Sequence, residues 1–89
     1  MEISFSSSFR KAFKKKVSGT LSEDTFWRTI EIFVADPYQM QLKTHKLSGK
    51  LKGLWSFSID YDLRVVFYFT KDKPPKAVFV DIGTHDEVY

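Results

Sequence analysis

The sequence predicts an α+β fold of order β-α-α-β-β-β, a small twisted and mainly antiparallel sheet with a two-helix hairpin packed on one face. Three observations carry this. Apolar residues recur every three or four positions between Phe9 and Val34; after Gly53 they alternate or run together in three β-forming stretches; clusters of turn-forming residues separate those stretches. With 89 residues, 43% of them hydrophobic and 17% aromatic, the chain has material for one core, and residues 1–89 read as one domain.

Glu2-Ile3-Ser4-Phe5 alternates polar and apolar, the pattern of a strand with one buried face, and is expected at a sheet edge. Ser6-Ser7-Ser8 offers N-caps for a helix whose apolar stripe is Phe9, Phe13 and Val17 with Ala12 beside it. Arg10, Lys11, Lys14 and Lys15 take its other faces, either as a solvated surface or as a contact for RNA or a protein. Ser18-Gly19 ends it, with Lys14 to Lys16 suiting the negative end of the helix dipole. A second helix starts at Leu21-Ser22-Glu23-Asp24, where Ser22 is expected to cap and Leu21 to staple onto Phe26. Its buried stripe is Phe26, Ile30, Phe33 and Val34, with Trp27 at the margin, and Pro37 stops it at Ala35-Asp36.

Tyr38 to Gly53 reads as a long basic loop tacked down by Leu42, Leu47 and Leu51. It carries Lys43, His45, Lys46, Lys50 and Lys52. Three strands follow. Leu54 to Ile59 places Trp55, Phe57 and Ile59 on one face and Ser56 and Ser58 on the other. After the turn Asp60-Tyr61-Asp62, Leu63 to Phe69 reads as a central strand interrupted only by Arg64. A polar hairpin loop, Lys71 to Lys76, leads to Ala77–Ile82. Gly83 then allows a sharp turn into Thr84-His85-Asp86-Glu87-Val88-Tyr89.

Several functions are excluded or disfavoured. No cysteine is present, so there is neither a disulfide framework nor a thiolate metal site, and a reducing cytoplasm fits. Two histidines forty positions apart make a poor zinc site, and no glycine-rich loop opens a helix to cradle phosphates. A Ser-His-Asp arrangement cannot be read, Ser56 and Ser58 being ordinary polar-face residues. No metal and no cofactor is expected. No apolar run approaches the ~20 residues of a membrane span, and the start lacks a signal peptide's pattern, so a soluble cytoplasmic protein without membrane contact is expected. The net charge of +3 is moderate, and only its clustering suggests an anionic partner.

Arg64 stands alone in a run that otherwise reads as core. It pairs either with Asp60, Asp62 or Asp81, or it serves as an anion site, for which a planar and always charged guanidinium suits a phosphate. His85 is either an exposed polar residue near a tail or a proton donor and acceptor near neutral pH. A histidine, an arginine and lysines converging on a phosphodiester suffice for RNA cleavage without a metal. The 2′-hydroxyl attacks phosphorus, the cations stabilise the charge that builds up, and an acid protonates the leaving 5′-oxygen.

The chain resembles the RelE/ParE superfamily of type II toxin–antitoxin toxins, in its RelE and YafQ-like branch. The resemblance spans nearly the whole chain. It rests on His45-Lys46-Leu47-Ser48-Gly49 with Lys52-Gly53, on Asp62-Leu63-Arg64-Val65-Val66-Phe67-Tyr68, and on Gly83-Thr84-His85 to Tyr89, in that order. It implies a RelE-like fold and a toxin that cleaves mRNA in the ribosomal A site until a cognate antitoxin neutralises it. Arg64 falls where the family keeps a phosphate-stabilising arginine, and His85 where YafQ-like members keep a histidine acting as general acid. Tyr89 matches the terminal aromatic that stacks on or orients substrate, His45 the loop histidine, and Asp62 an acidic residue of the same site. Lys43, Lys46, Lys50 and Lys52, clustered in the basic loop, are expected to bind the RNA. Ser58 stands where YafQ-like toxins have a strand histidine, and Asp81 near where an arginine is common, which lowers the positive field. The partners implied are the antitoxin, the ribosome and mRNA, with Trp27, Trp55 and Tyr38 as an apolar patch for the antitoxin. Two rival readings keep the fold: a ParE-like inhibitor of DNA gyrase, which needs neither His85 nor Arg64, and a catalytically weak interaction module whose basic helix binds an acidic partner.

Overall fold

In the computed structural model, which describes all of Met1–Tyr89, the chain runs β1 (Glu2–Phe5), α1 (Ser7–Lys16), α2 (Ser22–Ala35), β2 (His45–Lys46), β3 (Trp55–Ser58), β4 (Leu63–Phe69), β5 (Lys76–Thr84) and α3 (His85–Val88). Single 3-10 turns at Met40–Leu42 and Gly49–Leu51 interrupt the long loop. The five strands form one sheet in the order β1-β5-β4-β3-β2. β1 lies parallel to β5 at one edge, and the other neighbours are antiparallel. This is the predicted α+β architecture, with one more strand and one more helix.

Both long helices pack on the same face of the sheet. Phe9 and Val17 from α1 and its end meet Phe26, Ile30 and Phe33 from α2 over Phe57, Val65, Phe67, Phe79 and Ile82. Phe33 is the hub, its ring centroid 4.5 Å from Phe57, 5.2 Å from Phe67 and 5.5 Å from Phe79. Offset and edge-to-face contacts of this kind add to what area burial alone contributes. At the start of α1 the Ser6 hydroxyl accepts the Phe9 N–H at 3.1 Å, as the serine run predicts.

The start of α2 differs from expectation. Leu21 is 99% exposed, so no staple onto Phe26 forms, and Ser22 is the first helical residue rather than its cap. The turn after α1 is too tight to bring Leu21 back. Gly19 takes φ +78, the Thr20 hydroxyl accepts the Ser22 N–H, and Glu23 accepts the Gly19 N–H at 2.8 Å. In the stripe of α2, Thr29 is buried where Val34 is not, and its hydroxyl is satisfied by donating to the carbonyl of Thr25 within the helix.

A bulge in β5 decides which of its residues face the core. Phe67 pairs with Phe79 but Val66 with Asp81, so Val80 is the extra residue. Phe79 and Ile82, three apart, can then both point to the helices. Beyond the bulge the strand runs two residues past its predicted end. Gly83 makes no turn. It stays in the sheet opposite Arg64, and the chain turns at Thr84, the N-cap of α3. Glycine serves here by close approach, since a Cβ at this position would lie 2.9 Å from Glu87 Oε1 and 3.0 Å from Lys16 Nζ.

Candidate functional site

The face of the sheet turned away from α1 and α2 carries the candidate site. Strand alternation points Phe57 and Val65 toward the helices and therefore Ser58 and Arg64 the other way. Ser58, Arg64 and Gly83 lie side by side on β3, β4 and β5, and α3 begins two residues after Gly83 with His85. These strands and the loop enclose a cleft of about 370 Å³ that brings together Lys43, Asp62, Arg64 and His85, four residues singled out by sequence. Ser58 also lines it. Sequence reasoning gave no cleft role to Gln41, Asp60 or Tyr61, which line it as well. Tyr61, 96% exposed at the tip of a turn between two aspartates, carried a readable signal, whereas Gln41 reaches the cleft only through the course of the loop.

Arg64 is half-buried and unpaired. Its Nη1 donates to the Asp60 carbonyl at 2.9 Å and to the Leu63 carbonyl at 3.4 Å, and no carboxylate lies within ion-pairing distance. The expected alternatives for it are therefore decided against pairing with Asp60, Asp62 or Asp81. Asp60 is occupied elsewhere, Oδ1 accepting the N–H groups of Asp62 and Leu63 and so fixing the turn. Asp81 Oδ1 accepts the Ile82 N–H at 2.9 Å, and the residue does not line the cleft.

His45 and Tyr89 adjoin the cleft without lining it. Tyr89 stands with its ring centroid 4.5 Å from His85 and 6.4 Å from His45, edge-to-face with both. His45 Nδ1 is 2.8 Å from the Lys43 carbonyl, which only accepts, so Nδ1 carries the proton and Nε2 of the neutral ring has a free lone pair. His85 is exposed, and its Nδ1 lies 3.6 Å from Asp86 Oδ1, a partner for the protonated ring.

The basic loop divides between the two faces. His45 opposes Ser56 and Lys46 opposes Trp55, so alternation along β2 sends His45 toward the cleft and Lys46 toward the helix side. There Lys46 Nζ sits 5.5 Å from the Trp55 ring centroid, and with Lys52 it flanks a separate groove of about 650 Å³ floored by Leu47, Leu54, Trp55 and Phe69. Lys50 lines neither hollow. The aromatic residues are divided too. Tyr38 packs on Trp55 and Phe69, while Trp27 packs on Phe5, Phe13 and Phe26, so they make two patches rather than one.

α3 is held from both ends. Thr84 and Glu87 form a reciprocal capping box, with the Thr84 N–H donating to Glu87 Oε1 at 2.7 Å. That bond above all holds the Glu87 carboxyl below its ordinary value of 4.5; desolvation opposes it, and the charge of Lys16 at 3.7 Å adds to the lowering. The Tyr89 hydroxyl donates to the buried Ser56 hydroxyl. No three histidine, aspartate or glutamate side chains come together as metal ligands, and no helix is long and apolar enough to cross a membrane.

The family model described as the bacterial toxin of type II toxin–antitoxin systems, YafQ, matches residues 1–89. No curated protein matches the sequence. Among solved structures the chain is similar to YafQ from Escherichia coli BL21(DE3), with 18% identity over 99% of this chain and 97% of that one and a TM-score of 0.79. It is similar to a metal-bound toxin from Helicobacter pylori, with 23% identity over 100% and 99% and a TM-score of 0.76. It also matches the E. coli DinJ-YafQ toxin–antitoxin complex, with 22% identity over 99% and 96% and a TM-score of 0.68. At such identities the structural likeness establishes the shared fold.

Proposed function

Because the chain belongs to the YafQ toxins of type II toxin–antitoxin systems, within the RelE/ParE superfamily, we propose that it is an endoribonuclease that cuts mRNA on the ribosome and so stops translation. The observation that carries this reading is an arginine left without a carboxylate partner in the same cleft as an exposed histidine. A half-buried guanidinium with free donors is suited to a phosphate.

On this reading each residue takes one step of the reaction. His45 Nε2 takes the proton of the ribose 2′-hydroxyl, whose oxygen attacks the adjacent phosphorus. Arg64, with Lys43, holds the non-bridging oxygens as negative charge grows on them. His85, as the imidazolium facing Asp86, protonates the 5′-oxygen as its bond to phosphorus breaks. The products are a 2′,3′-cyclic phosphate and a free 5′-hydroxyl, and no step uses a metal. Asp62 accepts a hydrogen bond from the ribose, and the Tyr89 ring stacks on a base beside the cut. Lys46, Lys50 and Lys52 hold RNA outside the cleft. Because His45, His85 and Tyr89 are all exposed, the open site relies on the ribosome to align the phosphodiester.

An antitoxin is the expected protein partner, as DinJ is for E. coli YafQ. An acidic segment, disordered until bound, suits the unpaired basic face of α1 and the hollow of about 210 Å³ between Phe5, Phe9, Phe13, Phe26 and Trp27. The test is translation of a reporter in a cell-free system, with cut sites mapped by primer extension on translated and on free mRNA. The parent is expected to cut translated mRNA, and His85→Ala to lose roughly 10²- to 10⁴-fold in rate, the span of general acid catalysis. A parent that leaves translation untouched, together with a His85→Ala variant no less toxic to cells, would refute the reading. Inhibition of supercoiling by DNA gyrase would replace it with the ParE-like function.

A further inference from the structure

Ser56 is the one serine of the chain that is fully buried, yet it lies on the face of β3 opposite the aromatic core. Its neighbours across the sheet are His45 on β2 and Val66 on β4. Its hydroxyl accepts a hydrogen bond from the Tyr89 hydroxyl, and neither side chain has another polar partner. Tyr89 is tied at its other end by its N–H, which donates to the His85 carbonyl at 3.1 Å. Between these ties the ring stands edge-to-face with both histidines, and the residue is still 40% exposed.

α3 has only four residues, too few to hold its shape by its own hydrogen bonds. A side chain anchored in the sheet supplies a fixed point. The anchor lies on β3 directly opposite His45 of β2, so one contact ties the strand that pairs with one histidine to the end of the helix that carries the other. The Tyr89 hydroxyl is thereby committed to a buried acceptor, and only the ring is offered to solvent.

We propose that Ser56 is a positioning residue: acting through the Tyr89 hydroxyl, it sets the distance between His45 and His85, and Tyr89 meets the substrate with its ring and takes no part in proton transfer. This rests on the ribonuclease reading of the cleft. Three variants test it, Ser56→Ala, Tyr89→Phe and the double variant, each assayed on programmed ribosomes. Losing the latch is expected to lower kcat by on the order of ten- to a hundredfold, as a misplaced catalytic group does, with KM unchanged. The two single variants should match, and the double should be no worse than either, since both remove one interaction.

A second readout does not need the nuclease. In ¹H–¹³C spectra the imidazole signals of both histidines should move in the same sense in Ser56→Ala and in Tyr89→Phe, as the ring leaves its edge-to-face position. Tyr89→Phe removes one oxygen outside the aromatic core and leaves that core intact, so it remains informative if Ser56→Ala folds poorly. A Tyr89→Phe variant with parental activity and unmoved histidine signals overturns the proposal. So does full loss in Tyr89→Phe with none in Ser56→Ala, which would make the hydroxyl itself a catalytic group. If the parent cuts no RNA, the ribonuclease reading fails, and shared shifts of the histidine signals still establish the latch.

Discussion

At Gly83 an alanine methyl would sit 2.9 Å from Glu87 Oε1, the oxygen that accepts the Thr84 N–H in the capping box. Glu87 would have to leave that bond, and Lys16 would lose its nearest carboxylate. Gly83→Ala is therefore expected to free α3 while sparing the core: amide exchange at Tyr89 should rise, and translation inhibition should fall by about tenfold or more as His85 loses its place. Deleting Tyr89 is expected to cost activity in the same assay while changing the midpoint of thermal unfolding little, because the residue belongs to no part of the aromatic core. Residues differed in how much of this the sequence displayed. Arg64 announced itself as a charge inside a β-forming run. Ser56 did not, because what sets it apart is a partner 33 positions away. Gly83 is visible in the sequence but its reason is not, because a glycine needed for a close approach looks the same as one needed for a turn.

Among elements, α3 shows how a short helix is kept. Glu87 titrates below 4.5 in the folded protein because its charged form accepts the Thr84 N–H and faces Lys16. A carboxyl depressed by folding contributes stability above its unfolded pKa and loses it as pH falls through the folded value. Acid is thus expected to loosen α3 below about pH 4.5, ahead of the sheet. NMR signals of the Thr84 and Glu87 amides, followed from neutral pH downward, should shift there while core signals stay. Glu87→Gln should remove that step. The capping box was legible in outline, since Thr84 and Glu87 have the required spacing, but four residues at the end of a sequence carry no periodicity. β2 is hidden in the sequence for a related reason. Two residues cannot alternate visibly, and His45–Lys46 become a strand only because β3 offers them an edge. That same pairing explains why the adjacent His45 and Lys46 serve opposite faces, which a tally of basic residues does not reveal.

At the scale of the whole molecule the fold was readable because its main determinants are periodic: the helix stripes, the β runs and the turns between them. What periodicity does not give is the joining of distant segments. Nothing local says that β1 pairs parallel with β5 or that a bulge at Val80 lets Phe79 and Ile82 share a face. The core depends on that joining, with Phe33 meeting three strands at once. Phe33→Ala is expected to cost about 3–5 kcal/mol, the range for an aromatic deleted from a core. Small domains hold about 5–15 kcal/mol in all, so urea unfolding should show the midpoint falling by roughly a fifth or more.

The parallel edge has a consequence for biogenesis. β5 lies between β1 and β4, and it is the last strand to leave the ribosome. Until it is made, the first strand has no neighbour, the helix hairpin lacks much of its floor, and Arg64 has no Gly83 beside it. A nascent chain of this kind carries neither sheet nor cleft for most of its synthesis.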